Sequence, residues 1–108
     1  MRYDIKRGWY KNIEGDGLKR IMEDMFGNVS EEDGLLVSSY GVMARIMVGT
    51  VSKEVLEIST ENHTGRQFAD EEILDSKRKL NAFAEKATGF DAKARMKRAK
   101  DKAKKGEL

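Results

Sequence analysis

Residues 35–60 limit the possible fold more than any other part of the chain. Leu35, Leu36 and Val37 lead through Ser38, Ser39 and Tyr40 to Gly41. Val42, Ala44, Ile46 and Val48 then fall on one side of an alternating segment, with Met43, Arg45 and Met47 on the other. Residues 50–53 turn the chain. The run 55–60 alternates again, with Leu56 and Ile58 inward and Glu57 and Ser59 outward. Parallel neighbours need a crossover of about a dozen residues. The turns here are much shorter, so the three runs predict an antiparallel meander.

Helical patterns flank this β region. Leu18, Ile21, Met22, Met25 and Phe26 stand at i, i+3, i+4, i+7 and i+8, one apolar stripe. Asp16 is placed to cap its start, and Gly27-Asn28 closes its end in the left-handed way such ends favour. Before it, Tyr3-Asp4-Ile5-Lys6-Arg7 alternates and stops at Gly8, as a short strand would. Residues 30–34 read as an acidic loop, and residues 61–69 as a polar one. Asp70 can cap a second helix, with Glu71 and Glu72 favourable against its dipole. Ile73, Leu80, Ala84 and Ala87 form that helix's stripe, flanked by Leu74 and Phe83, and Gly89 ends it. Asp91 caps a last helix over residues 91–105, rich in alanine but with little apolar area to bury. The order β-α-β-β-β-α-α predicts an α+β fold: a four-stranded, mostly antiparallel sheet with helices packed on one face. Met43, Arg45, Met47, Val51 and Val55 then fall on the uncovered face.

Composition excludes several chemistries. The chain has 108 residues, one domain's worth, with no Cys and no Pro. Without cysteine there is no disulfide framework, thiol nucleophile, zinc ribbon or iron–sulfur cluster, and a reducing, cytoplasmic setting suits it. The first dozen residues lack the apolar core of a secretory signal. No apolar run approaches the ~20 residues that span a bilayer, and the last helix lacks the aromatic or leucine face of a membrane-surface helix, so no membrane partner is expected.

Net charge conceals a division. The formal total is +2. Residues 1–90, a compact α+β domain, carry 13 basic and 16 acidic side chains, whereas residues 91–108, a basic helix or tail, carry 8 and 3. Lys93, Lys97, Lys100 and Lys104 repeat at i, i+4, i+7 and i+11, one cationic stripe, which Arg95, Arg98, Lys102 and Lys105 widen. Such a helix suits a phosphate backbone.

Other candidate sites are weaker. His63 is the single histidine, set in a polar loop with no Cys partner and no Gly-x-Ser-x-Gly elbow. Glu61, His63, Asp70, Glu71 and Glu72 match no metal-ligand spacing. Gly15-x-Gly17 lacks the third glycine of a dinucleotide fingerprint, and no cofactor is called for. Tyr3, Trp9 and Tyr10 among Arg2, Lys6, Arg7 and Lys11 carry the ingredients of single-strand nucleic-acid binding, although a Trp beside a strand more often plugs a core or an interface.

Glu71-Glu72-Ile73-Leu74-Asp75, Arg78-x-Leu80-Asn81-x-Phe83 and Ala87-Thr88-Gly89-Phe90-x-Ala92-Lys93-x-Arg95, together with Leu36-Val37-Ser38-Ser39-Tyr40-Gly41, resemble a small family of uncharacterised archaeal proteins, a domain of unknown function. The resemblance implies a compact α+β fold and a cytoplasmic archaeal source, and carries over no functional residue. The leading expectation is a non-enzymatic binding or adaptor domain that meets nucleic acid, another polyanion or an acidic protein through Lys93, Arg95, Lys97, Arg98, Lys100 and Lys104. The alternative is a homodimer joined through Trp9, Met43, Met47 and Val51. An enzyme built on His63 ranks last.

Overall fold

The computed structural model describes the backbone of residues 1–106 and the side chains of residues 1–102. Its elements are β1 (Arg2–Asp4), a 3-10 turn (Tyr10–Asn12), α1 (Gly17–Phe26), β2 (Ser30–Glu32), β3 (Leu35–Tyr40), β4 (Met43–Ser52), β5 (Val55–Asn62), α2 (Asp70–Thr88) and α3 (Ala92–Gly106). The sheet is antiparallel in the order β1-β5-β4-β3-β2. It has five strands, one more than the periodicity indicates. The added strand is β2, in the segment taken for a loop because none of its side chains is apolar. Asp33 and Gly34 carry it back onto β3, with φ of 52° and 81°. Two successive residues in the left-handed region form the tight turn that matches strand twist, and Asp-Gly is a preferred sequence for it.

Leu18, Met22 and Phe26 of α1 pack with Ile46, Val48, Leu56 and Ile58 of the sheet and with Phe83, Ala84 and Ala87 of α2. Phe26 and Phe83 meet with ring centroids 5.2 Å apart at 50°, a tilted aromatic contact. On α2 the inward face runs from Ser76 to Thr88. Ile73, assigned to its stripe, and Leu74, placed at its flank, are 41% and 51% exposed. Ser76 takes the inward place instead: its hydroxyl donates to the Glu72 carbonyl (2.9 Å) and accepts from the Val42 amide (3.0 Å). A side chain at Gly41 would collide with that hydroxyl, so the β3–β4 turn passes directly beneath α2. Residue 69, not Asp70, caps α2. The Ala69 amide donates to Glu72 Oε1 at 3.3 Å, half of a capping box.

Strict alternation fails at both ends of β4. The register advances two residues on β4, from Met43 to Arg45, against one on β5, from Asn62 to Glu61. That bulge turns Met43 into the core, where it is 4% exposed, and removes it from the face predicted to be open. A second shift lies between Thr50 and Ser52, and it leaves Val51 as the extra residue, 47% exposed.

The end of α2 joins three segments. Gly89 adopts φ 82° and its amide donates to the Glu85 carbonyl. The Trp9 indole N–H donates to the Lys86 carbonyl at 2.9 Å, and the Lys6 amide to the Thr88 carbonyl at 2.8 Å. A Cβ on Gly89 would sit 2.8 Å from Trp9 Cδ2 and 3.0 Å from Lys6 Cβ, whereas Gly27, with φ 81° at the end of α1, has open space around it. Both glycines carry the left-handed strain of ~1–2 kcal/mol when given a side chain. Only Gly89 adds a clash. Gly89→Ala is therefore expected to lose ~2–4 kcal/mol and Gly27→Ala ~1 kcal/mol. Thermal unfolding of the two variants side by side checks this, with a Tm for Gly89→Ala lower by roughly 5 °C or more.

Candidate functional site

α3 begins where Gly89 has reversed the chain. Asp91 caps it, accepting the Ala94 amide on Oδ1 at 2.8 Å and the Arg95 amide on its carbonyl at 2.9 Å. At ~100° per residue, Arg95, Arg98 and Lys102 share one face of this helix, and Lys93, Lys97 and Lys100 share the opposite one. The structure treats the two cationic faces differently.

The first face holds the helix on the body. Arg95 is 7% exposed. Its guanidinium donates to the Phe90 carbonyl (2.6 Å) and to Asn81 Oδ1 (3.0 Å), and lies 5.7 Å from the centre of the Tyr3 ring. Arg98 Nε donates to Asp4 Oδ2 at 2.8 Å, with its guanidinium 4.6 Å from the Phe90 ring centre. Lys102 Nζ donates to Asp4 Oδ1. Arg95 and Arg98, assigned from sequence to a polyanion, are thus engaged inside the molecule. Phe90 lies under Arg98 and donates its amide to the Thr88 hydroxyl at 3.2 Å. Burial pushes the Asp4 carboxyl up, but the hydrogen bonds and charges of Lys102 and Arg98 outweigh it and hold the group below 3.8.

The second face is open. Lys93, Lys97 and Lys100 are exposed, and none forms an ion pair among the described residues. Lys104 falls outside the described side chains. Ala92, Met96 and Ala99 are exposed as well, Met96 by 62%, so α3 turns these three apolar side chains to solvent while Arg95, Arg98 and Lys102 face the body.

The remaining candidates are placed elsewhere. Trp9 packs on Gly89 and Tyr3 lies beneath Arg95, so these aromatics belong to the packing and present no stacking platform. On the sheet face away from α1 and α2, the register aligns Leu35 with Gly49 and Glu57, and Val37 with Met47 and Ser59. Leu35 is 37% exposed there. Arg45 bridges Glu32 (3.4 Å) and Glu61 (3.9 Å), and Arg2 pairs with Glu57 (3.7 Å), which gives the face an ionic rim. His63 is exposed, its ring 6.0 Å from that of Phe68. Among the described residues no group of three or more His, Asp or Glu side chains is arranged to hold a metal ion. A cleft of about 280 Å³ opens between Tyr10, Glu14 and Leu18 on one side and Glu31, Leu36 and Thr50 on the other. No helix among the described residues is long and apolar enough to cross a membrane.

Fold and site together define a small α+β domain whose terminal helix is clamped to an edge strand by ion pairs and carries a second, unpaired row of lysines. The chain belongs to the family described as Domain of unknown function (DUF5611), whose model matches residues 1–101 and so takes in the sheet, α1, α2 and most of α3. No curated protein and no solved structure matches it.

The Asp4 clamp sets a pH dependence. A carboxyl whose folded value is depressed adds stability above its unfolded value and loses it as the pH falls through the folded value. Asp4→Asn is expected to cost ~1 kcal/mol at neutral pH, since Arg98 and Lys102 are half exposed and screened. Urea midpoints of wild type and variant, measured from neutral pH downward, should converge below 3.8, the carboxyl's ordinary value.

Proposed function

We propose that this is a non-enzymatic binding domain that lays α3 along the phosphate backbone of a nucleic acid, without reading its bases. The observation that supports the reading is the row Lys93, Lys97 and Lys100, exposed and without an acidic partner among the described residues, on a helix held in a set direction by its opposite face. Backbone binding needs cations on a pre-oriented element and no particular side-chain code. The row spans eight residues, ~10 Å of helix, enough for a few phosphates. Contacts to phosphate carry no sequence information, and three lysines on one helix face are suited to phosphates. The reading also favours a reducing compartment that holds nucleic acid, such as the cytoplasm, which suits a chain without cysteine.

Three phosphate contacts give a log–log salt slope of about −2.7 on duplex DNA. Replacing Lys93, Lys97 and Lys100 together by Glu leaves Arg95, Arg98 and Lys102 in place, so α3 stays docked. Fluorescence anisotropy with a short mixed-sequence duplex should show salt-dependent binding by wild type and a loss of more than tenfold in the triple variant. Equal binding by both would overturn the reading. If an acidic protein segment is bound in place of the duplex, the partner class is wrong and the lysine row stands.

A second reading, a homodimer through the open sheet face, is favoured by exposed Leu35, diagonal to Met47 across β3 and β4, on a face with an ionic rim. Here Met43 and Trp9 no longer take part. Light scattering should then give twice the monomer mass, and Met47→Lys should reduce it to one. A monomeric wild type dismisses this reading.

A further inference from the structure

We infer that Asp4 is a built-in competitor for the polyanion, an internal carboxylate that occupies Arg98 and Lys102 until a stronger anion displaces it. The inference rests on the backbone-binding reading and adds a regulatory contact to it.

The asymmetry of the contact carries the argument. The Asp4 side chain is 14% exposed, while Arg98 and Lys102 keep 50% and 58% of theirs in solvent. The anion is sheltered and the two cations are reachable. Openings of about 460 Å³, lined by Arg7, Glu54 and Arg98, and about 200 Å³, lined by Arg98, Asp101 and Lys102, both reach Asp4. A phosphate can therefore approach Arg98 and Lys102 without any movement of the sheet. Ion pairs between half-exposed groups are weak and screened by salt. A polyanion already held by Lys93, Lys97 and Lys100 brings further phosphates to the same helix at high effective concentration.

Displacement does not require α3 to leave the body. Arg95 is a separate anchor, bonded to the Phe90 carbonyl and to Asn81 and only 7% exposed, so its guanidinium is shielded from an approaching phosphate. The helix therefore has one anchor that resists polyanions, Arg95, and one contact that yields to them, at Asp4. Exchange of carboxylate for phosphate raises the cations in contact from three to five.

Asp4→Asn tests this by removing the competitor's charge and keeping its shape. Asp4→Ser repeats the change with a different side chain, and Asp4→Glu restores the carboxylate. Each is titrated with the same DNA duplex over a range of salt, with amide hydrogen exchange of β4 and β5 confirming that the body is folded. The neutral variants should bind more tightly than wild type at each salt concentration, because no carboxylate has to be displaced, and both should show the log–log slope of about −4.5 that five phosphate contacts give. Asp4→Glu should behave as wild type. Binding by the neutral variants where wild type shows none would also support the inference. Unchanged or weaker binding by folded Asp4→Asn and Asp4→Ser, with the lysine row still required, would overturn the competitor and leave the backbone-binding reading intact. If neither wild type nor the neutral variants bind the duplex, both fall.

Discussion

The C-terminus of α2 governs the rest of the molecule. A helix end leaves carbonyls without partners, and buried ones must be satisfied. Here the first nine residues of the chain satisfy them: the Lys6 amide takes the Thr88 carbonyl and the Trp9 indole takes that of Lys86. Gly89, reversed to φ 82° beneath the indole ring, takes the Glu85 carbonyl. This junction ties β1 to the edge of the sheet, places α2 over the core and sets the direction in which α3 departs. Without it Tyr3 and Asp4 would not lie where Arg95, Arg98 and Lys102 meet them.

Much of this was legible in the sequence where periodicity and local caps decide. The α1 stripe, the reversed ends at Gly27 and Gly89, the inward places of Leu56 and Ile58 and the Asp91 cap all follow from spacing within one element. The failures have a different origin. Met43 changes face because a bulge inserts one residue, a backbone event that alternation cannot register. β2 forms because β3 offers an edge, not because Ser30, Glu31 and Glu32 favour a strand, although Asp33-Gly34 was a usable hairpin signal. The division of labour on α3 was half visible. The wheel separates the two cationic faces, but the acid that selects between them is Asp4, 94 residues from Arg98 in the chain.

α3 therefore inverts the usual amphipathic arrangement. Apolar stripes normally face inward and charges outward. Here Ala92, Ala99 and Met96 meet solvent, and a buried arginine is the anchor. A guanidinium serves well in that place because its planar set of donors satisfies the Phe90 carbonyl and Asn81 together while its face lies against the Tyr3 ring. The low net charge of the chain reflects the same economy, since part of the basic excess neutralises the body's own acid.

The two outer strands of the sheet are both three residues long. One carries Glu31 and Glu32, with all of its residues exposed, and the other has α3 against its side chains. Short, charged or covered margins resist strand-by-strand addition. The sheet is thus closed laterally at five strands, and crowded copies of the chain are protected from zipping into a continuous ribbon.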